Sequence, residues 1–353
     1  MWMTADYVGI AAAGILLITA IIATILFLMK NMTRRENSMK QEADSELQRL
    51  SLSFRTATDN KVSFDGSHDD PTPHAHAQNY KFEHLQKATQ YFSSSNLISG
   101  AVYRGRLDGE DVAIRRLPTH VVSRIEFHLA QQSIIEHPNI IRVLGTCTPD
   151  ANAPDSFLVI EYASNGSLRD WIHGGLAIKN QFIASCDRLL NWNQRLKICA
   201  DAANAMHFLH DAVNLFHIRL NVGNIFLDHE FNAKICVSLE SKNDREEGWL
   251  APEYVRERVV SPSVDVFAFG VVLLEVMSGR PPASGKLYDE IEMVESGEEC
   301  LRGWMDGRMG EGYSIDAAVE VVKLARCCVE EEAAARPGAG EIAAKLLNVV
   351  EEG

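Results

Sequence analysis

From Val8 to Met29 the chain carries no charged side chain and is dominated by Ile, Leu and Ala. At 1.5 Å rise per residue, this stretch makes a helix of about 33 Å, enough for a hydrocarbon core of roughly 30 Å. It reads as a transmembrane helix over residues 8–29. A secretory signal would have a basic leading segment and a shorter apolar core, whereas Met1 to Tyr7 carry Asp6 as their only charged side chain. Basic residues follow the run, at Lys30, Arg34, Arg35 and Lys40. The positive-inside rule therefore places residues 1–7 outside the cell and the remainder in the cytosol.

The cysteines agree with that orientation. All seven (Cys147, Cys186, Cys199, Cys236, Cys300, Cys327 and Cys328) follow the apolar run and show no C-x-x-C pairing. An odd number on the reducing side reads as free thiols, with neither a disulfide framework nor a zinc site. A formal net charge of -14 argues against a nucleic-acid-binding surface, which needs a basic face. Residues 30–79 are polar and irregular and read as a disordered juxtamembrane linker. Its His68, His74 and His76 lack cysteine support and read as solvated, while Ser51, Ser53 and Thr56, near Arg49 and Arg55, are candidate phosphorylation sites.

From Tyr80 the pattern becomes globular. Val102–Gly105 and Asp111–Ile114 read as strands around the turn Asp108-Gly109, and Phe157–Ile160 as a buried strand. Trp192 to His210 shows helical spacing of its apolar residues. Val264 to Ser278, interrupted by Asp265 and Glu275, is too short and too charged for a second span and reads as a core helix stopped by Gly279 to Pro282. Strands first and helices after predict an α+β, two-lobed fold, with an N-lobe at 80–162 and a C-lobe at 163–353.

Landmarks across residues 80–353 fall in a recognisable order. They are Phe82 to Thr89 with Tyr91-Phe92-Ser93; Val112-Ala113-Ile114-Arg115; Leu158 to Tyr162 with Asn165-Gly166-Ser167-Leu168; His217-Ile218-Arg219-Leu220-Asn221-Val222-Gly223-Asn224; Ala251-Pro252-Glu253; Asp265 to Gly270; and Arg336-Pro337. In this order the segment resembles the protein kinase domain of plant receptor-like kinases. Its degenerate loops are most similar to the inactive LysM-type members, with inactive leucine-rich-repeat members second. The resemblance implies a kinase-like fold preceded by one transmembrane helix and a pairing of Glu253 with Arg336. It also implies a nucleotide pocket lined by Gly100, Val102, Ala113, Arg115, Glu161, Ala163 and Phe226.

At several of these positions the chemistry departs from the pattern. Kinases cover ATP phosphates with a glycine-rich loop, whereas Asn96 to Tyr103 compresses that segment; with Ser99 and Gly100 in place of its first and third glycines, four residues are missing. Arg115 replaces the phosphate-contacting lysine with a longer forked cation. Its expected glutamate partner has no clean equivalent, since His128 takes the position and Glu126 lies two residues early. In the catalytic loop His217 is kept, but Arg219 stands where the pattern places the proton-accepting aspartate, and Asn221 belongs to the same degenerate loop. A guanidinium is no base. Val237 replaces the magnesium-binding aspartate and offers no oxygen to a hard cation, which leaves Asn224 to close its loop by hydrogen bonds. Phe226 brings a ring to the place beneath the adenine, and only 11 residues separate Leu239 from Ala251.

The expectation is a membrane-anchored receptor-like pseudokinase, a catalytically inactive kinase homologue with no metal site. It would serve as a signalling scaffold or allosteric partner of an active receptor-like kinase at the plasma membrane lipid. No cofactor is expected, ATP held without metal being the open alternative. Two rivals stand beside it: a weak serine/threonine kinase using a displaced carboxylate, Asp228 or Asp244, and a truncated receptor kinase product without activity.

Overall fold

A computed structural model describes residues 78–123, 125, 136–149, 154–174, 189–216, 219–237, 250–281, 287–310 and 312–352. The apolar run 8–29, the linker up to residue 77, Glu126, His128, Cys186, His217, Ile218, Leu239 and Asp244 lie outside the described residues. Among the described residues no helix is long and apolar enough to cross a membrane.

The N-terminal lobe is a six-stranded sheet in the order β1-β5-β6-β4-β3-β2. Its strands are β1 (Gln78–Asn79), β2 (Leu97–Ser99), β3 (Val102–Leu107), β4 (Glu110–Pro118), β5 (Val143–Cys147) and β6 (Asp155–Glu161). The β3–β4 hairpin closes on Asp108 and Gly109, both at positive φ, as a two-residue turn matched to strand twist requires. Alternation along β4 and β6 divides the core in two. Val112, Ile114, Phe157 and Val159 face one way and are covered by Leu85 of helix α1 (Phe82–Ala88), while Leu117 and Leu158 face the other and meet Val121, Val122 and Ile125. Phe92 stacks on Phe157 at 5.0 Å between ring centroids, which anchors the chain leaving α1. That chain passes through three successive left-handed residues, Gln90, Tyr91 and Phe92, held by Thr89 Oγ1, which accepts from the Phe92 amide. β1 adds parallel to β5 opposite Gly145, where a Cβ would lie 2.0 Å from the Gln78 carbonyl oxygen. Among the described residues the sheet thus takes in Gln78 and Asn79, which precede Tyr80 in the sequence.

The C-terminal lobe is helical. Its members are α2 (Leu168–Ile172), α3 (Trp192–Asp211), α4 (Pro252–Glu257), α5 (Pro262–Ser278), α6 (Leu287–Glu295), α7 (Glu298–Trp304), α8 (Ile315–Cys328) and α9 (Ala339–Glu352). α3 starts at a reciprocal Asn191–Gln194 capping box, and α5 has proline at its first turn and ends on Gly279 at φ 66°. Every residue of α5 from Val264 to Ser278 is buried, so it serves as the core helix around which the lobe packs. A short ribbon, β7 (Ile225–Leu227) with β8 (Ala233–Ile235), lies at the edge of this lobe. Asn139 ties it to the segment before β5, as its side-chain amide donates to the Ala233 carbonyl and its own carbonyl accepts from the Ile235 amide.

Candidate active-site cleft

The register of the sheet sets the upper wall. Val102 pairs with Arg115 and Arg104 with Ala113, so Val102, Ala113 and Arg115 share the face that also carries Leu158 and Ile160. Between β2 and β3 the chain reverses over Gly100 and Ala101 alone, with Ser99 opposite Val102. The hairpin ends there, and no glycine-rich tip extends beyond it. Arg104 forms an ion pair with Asp111 at 2.6 Å and lies 5.0 Å over the ring of Tyr162 at the connection between the lobes. Ala163 follows, buried.

The lower wall is the β7–β8 ribbon. Phe226 lies opposite Lys234, on the face away from the buried Ile225, Leu227, Ala233 and Ile235. Lys234 Nζ reaches Glu161 Oε1 at 2.9 Å, with the two side chains only 13% and 24% exposed, and the Arg142 amide donates to Glu161 Oε2 at 3.2 Å. The Glu161 carboxylate is therefore committed to joining β5, β6 and β8. Lys234 was not singled out from the sequence; a lone lysine alternating with Ala233 and Ile235 was the available signal. Glu161 and Lys234 also line a cavity of about 350 Å³ with His137 and Arg142. Burial pushes the His137 imidazole below its ordinary value and nearby Lys234 adds to this, while Asp201 opposes it; Nδ1 accepts from the Asn139 amide.

After β8 the chain reaches Cys236, whose amide donates to the Asn224 carbonyl at 2.8 Å. Burial raises the Cys236 thiol, and the Arg115 guanidinium opposes that shift, which places Arg115 within electrostatic reach of this end of β8. Val237 packs against the core of the helical lobe.

The catalytic-loop segment is held by its two asparagines. Asn221 and Asn224 each donate a side-chain N–H to the Arg219 carbonyl at 2.9 Å. The Asn224 side-chain oxygen accepts from the Asn221 amide at 2.9 Å, and the Asn221 side-chain oxygen from the Gly223 amide at 2.8 Å. Arg219 sits at φ 52°, a left-handed conformation that aspartate and asparagine tolerate better than arginine. Asp228, one of the displaced-base candidates, accepts from the Glu230 and Asn232 amides and the Asn232 side chain. Burial would raise its carboxyl, but those hydrogen bonds outweigh burial and hold it below the usual range, which makes it a weaker proton acceptor.

Further down, Arg336 grips Glu253 bidentately, at 2.7 and 2.9 Å, and lies 5.0 Å over the Phe267 ring. The expected pairing of the A-P-E glutamate with the late arginine is thus present. Asp265 of α5 meets His210 of α3 at 3.1 Å. Among the described residues no group of three or more His, Cys, Asp or Glu is placed to hold a metal ion.

A β-rich lobe, a helical lobe and the cleft landmarks between them define the protein kinase fold. The family model for the protein tyrosine and serine/threonine kinases matches residues 96–346. Protein LYK2 of Arabidopsis thaliana is 40% identical over 88% of this chain and 52% of its own length. LysM domain receptor-like kinase 3 of Medicago truncatula is 28% identical over 78% of this chain and 47% of its own. The probable serine/threonine-protein kinase PBL21 of Arabidopsis thaliana is 30% identical over 81% and 80%. The chain belongs to the protein kinase family, within the plant LysM-type receptor-like kinases. It spans about half the length of the LysM-type relatives it matches.

Proposed function

We propose that this chain is a receptor-like pseudokinase that acts by binding, as a plasma-membrane-tethered partner of an active receptor kinase. The observation that carries this reading is the catalytic loop. Arg219 stands at the position of the base, and the asparagines around it are engaged with backbone groups. In this reading Asn224 closes the loop, since its amide oxygen already accepts from the Asn221 amide, and Val237 belongs to the core. The residues present do not fit a magnesium ion: the one amide oxygen is already engaged, and Val237 stands in place of the second ligand. Val102, Ala113, Ala163 and Phe226 would form a nucleotide pocket narrowed by the phenyl ring and open above the phosphates. The apolar run 8–29 would tether the domain and raise its local concentration beside a partner in the same membrane.

Thermal unfolding of the full chain in detergent, with ATP plus magnesium or ATP plus EDTA, tests the reading. A ligand at 100 times its dissociation constant stabilises by about 2.7 kcal/mol, a shift of several degrees. The expected result is no magnesium-dependent shift. A shift seen with magnesium and lost with EDTA overturns the assignment of Asn224 and Val237.

A further inference from the structure

A cavity of about 490 Å³ in the helical lobe shares no lining residue with the cleft. It lies between the end of α2, the end of α5 and the segment after α7, where His173, Arg280, Trp304, Asp306 and Arg308 come together. Its hydrogen-bond inventory is lopsided. Asp306 accepts at both oxygens: from Arg195 Nη2 at 2.7 Å, from Arg308 Nε at 2.9 and 3.1 Å, from Arg308 Nη2 at 2.8 Å and from the Arg308 amide at 3.1 Å. About four acceptor sites on a carboxylate are therefore taken. Glu275, the other carboxylate beside the cavity, is buried and meets His173 Nε2 at 2.7 Å.

What remains open on these groups is donors. The Arg280 guanidinium makes one hydrogen bond among the described residues, to the Trp304 carbonyl at 2.8 Å, which leaves the rest of its fork unused. Trp304 is 3% exposed, and its indole, whose N–H is enclosed and without a partner among the described residues, gives the cavity an apolar wall beside Arg280. Three guanidinium groups, of Arg195, Arg280 and Arg308, stand against the two carboxylates of Asp306 and Glu275. In a chain of net charge -14 this cavity is a local excess of positive charge, and the free part of the exposed Arg280 fork is its open donor set. Such a site favours an acceptor with negative charge.

We propose that this cavity is a binding site for a phosphate monoester carried on a protein side chain. A phosphoryl group offers three acceptor oxygens and about two negative charges, which suits an open forked guanidinium in a positively charged cavity better than a carboxylate does. The cavity opens to solvent, so a phosphorylated side chain enters while its backbone stays outside. The site stands independently of whether the cleft binds nucleotide.

Gly303 supplies a clean probe: it lines the cavity, lies in α7, and a Cβ there meets nothing within 4 Å, so Gly303→Glu adds a carboxylate with little strain. Calorimetric titration of the full chain in detergent would use three probes: an acetylated and amidated Ala-phosphoserine-Ala peptide, its unphosphorylated form and inorganic phosphate. The phosphopeptide should bind and the unphosphorylated peptide should not. Arg280→Gln should weaken binding roughly tenfold or more, and Gly303→Glu should abolish it with the circular dichroism spectrum unchanged. Equal affinity for inorganic phosphate and the phosphopeptide, both lost in Gly303→Glu, overturns the protein-borne source. Binding that ignores the phosphoryl group, or that survives in Gly303→Glu, overturns the site.

Discussion

Replacing Glu253 by Gln probes a buried ion pair of the helical lobe without changing its shape. The Arg336 side chain is 0% exposed and that of Glu253 17%. Besides Glu253, Arg336 donates to the carbonyls of Ser263 at 2.9 Å, Glu330 at 2.7 Å and Glu331 at 3.3 Å. Breaking a buried pair from one side typically costs about 3–5 kcal/mol, because a desolvated charge is left without compensation. Here the three carbonyls keep the guanidinium hydrogen-bonded and the glutamine oxygen still accepts, so the cost should fall to about 2–3 kcal/mol. For a domain of this size that is a fall in Tm of about 4–10 °C. Thermal unfolding followed by far-ultraviolet circular dichroism measures it. The control is Arg256→Gln, since the Arg256–Glu331 pair has side chains 64% and 65% exposed and should contribute little. A Glu253→Gln change within about 0.5 kcal/mol of wild type, or an equal loss in the control, would refute the reasoning.

Other perturbations follow from single observations. Arg219→Asn relieves a left-handed arginine and should raise stability by about 0.5–1 kcal/mol, measured by urea unfolding; a loss would mean that the Arg219 side chain holds the loop. Gly270→Ala should cost about 1–3 kcal/mol, because its Cβ would lie 2.6 Å from Cys328 Cβ and 2.7 Å from Val329 Cγ1 where α5 meets α8; unfolding at wild-type urea would refute that close approach. His137 has a folded value below its ordinary 6.5, so the unfolded chain binds its proton first as pH falls. Its contribution is present above pH 6.5 and lost as pH falls from there towards the folded value, and His137→Gln should remove that part of the pH dependence of urea unfolding. Glu253 is lowered as well, for a different reason. Burial raises its carboxyl, the Arg336 hydrogen bonds outweigh burial, and the contribution is lost only as pH falls below the ordinary 4.5.

Legibility tracked the range of the interaction. The β3–β4 hairpin could be read because Asp108-Gly109 is a local turn signal between alternating strands, and α5 because fifteen consecutive buried positions leave a helix few alternatives. β1 could not, since two exposed residues gain a strand only by docking on Gly145. Glu161 enters the expected pocket through the hinge resemblance of Leu158 to Tyr162, but the pairing of its carboxylate with Lys234, 73 positions later in the sequence, has no local signal. The Arg195–Asp306 pair, separated by 111 positions, and the cavity beside it depend on loops that no local pattern brings together. Arg219 could be placed from spacing alone; the left-handed backbone beneath it, with Asn221 and Asn224 both donating to its carbonyl, could not.

The proposed absence of catalysis is most directly tested by phosphoryl transfer from γ-labelled ATP to a serine/threonine protein substrate, with the full chain purified from cells that lack other receptor-like kinases. Active kinases turn over at roughly 1–100 s⁻¹. Loss of the base or of a charge-stabilising group each costs on the order of 10² to 10⁴, so the rate should stay below about 10⁻² s⁻¹ and be unchanged by Asp228→Asn. Magnesium-dependent labelling at kinase-like rates, abolished by a single substitution in the cleft, would contradict the account.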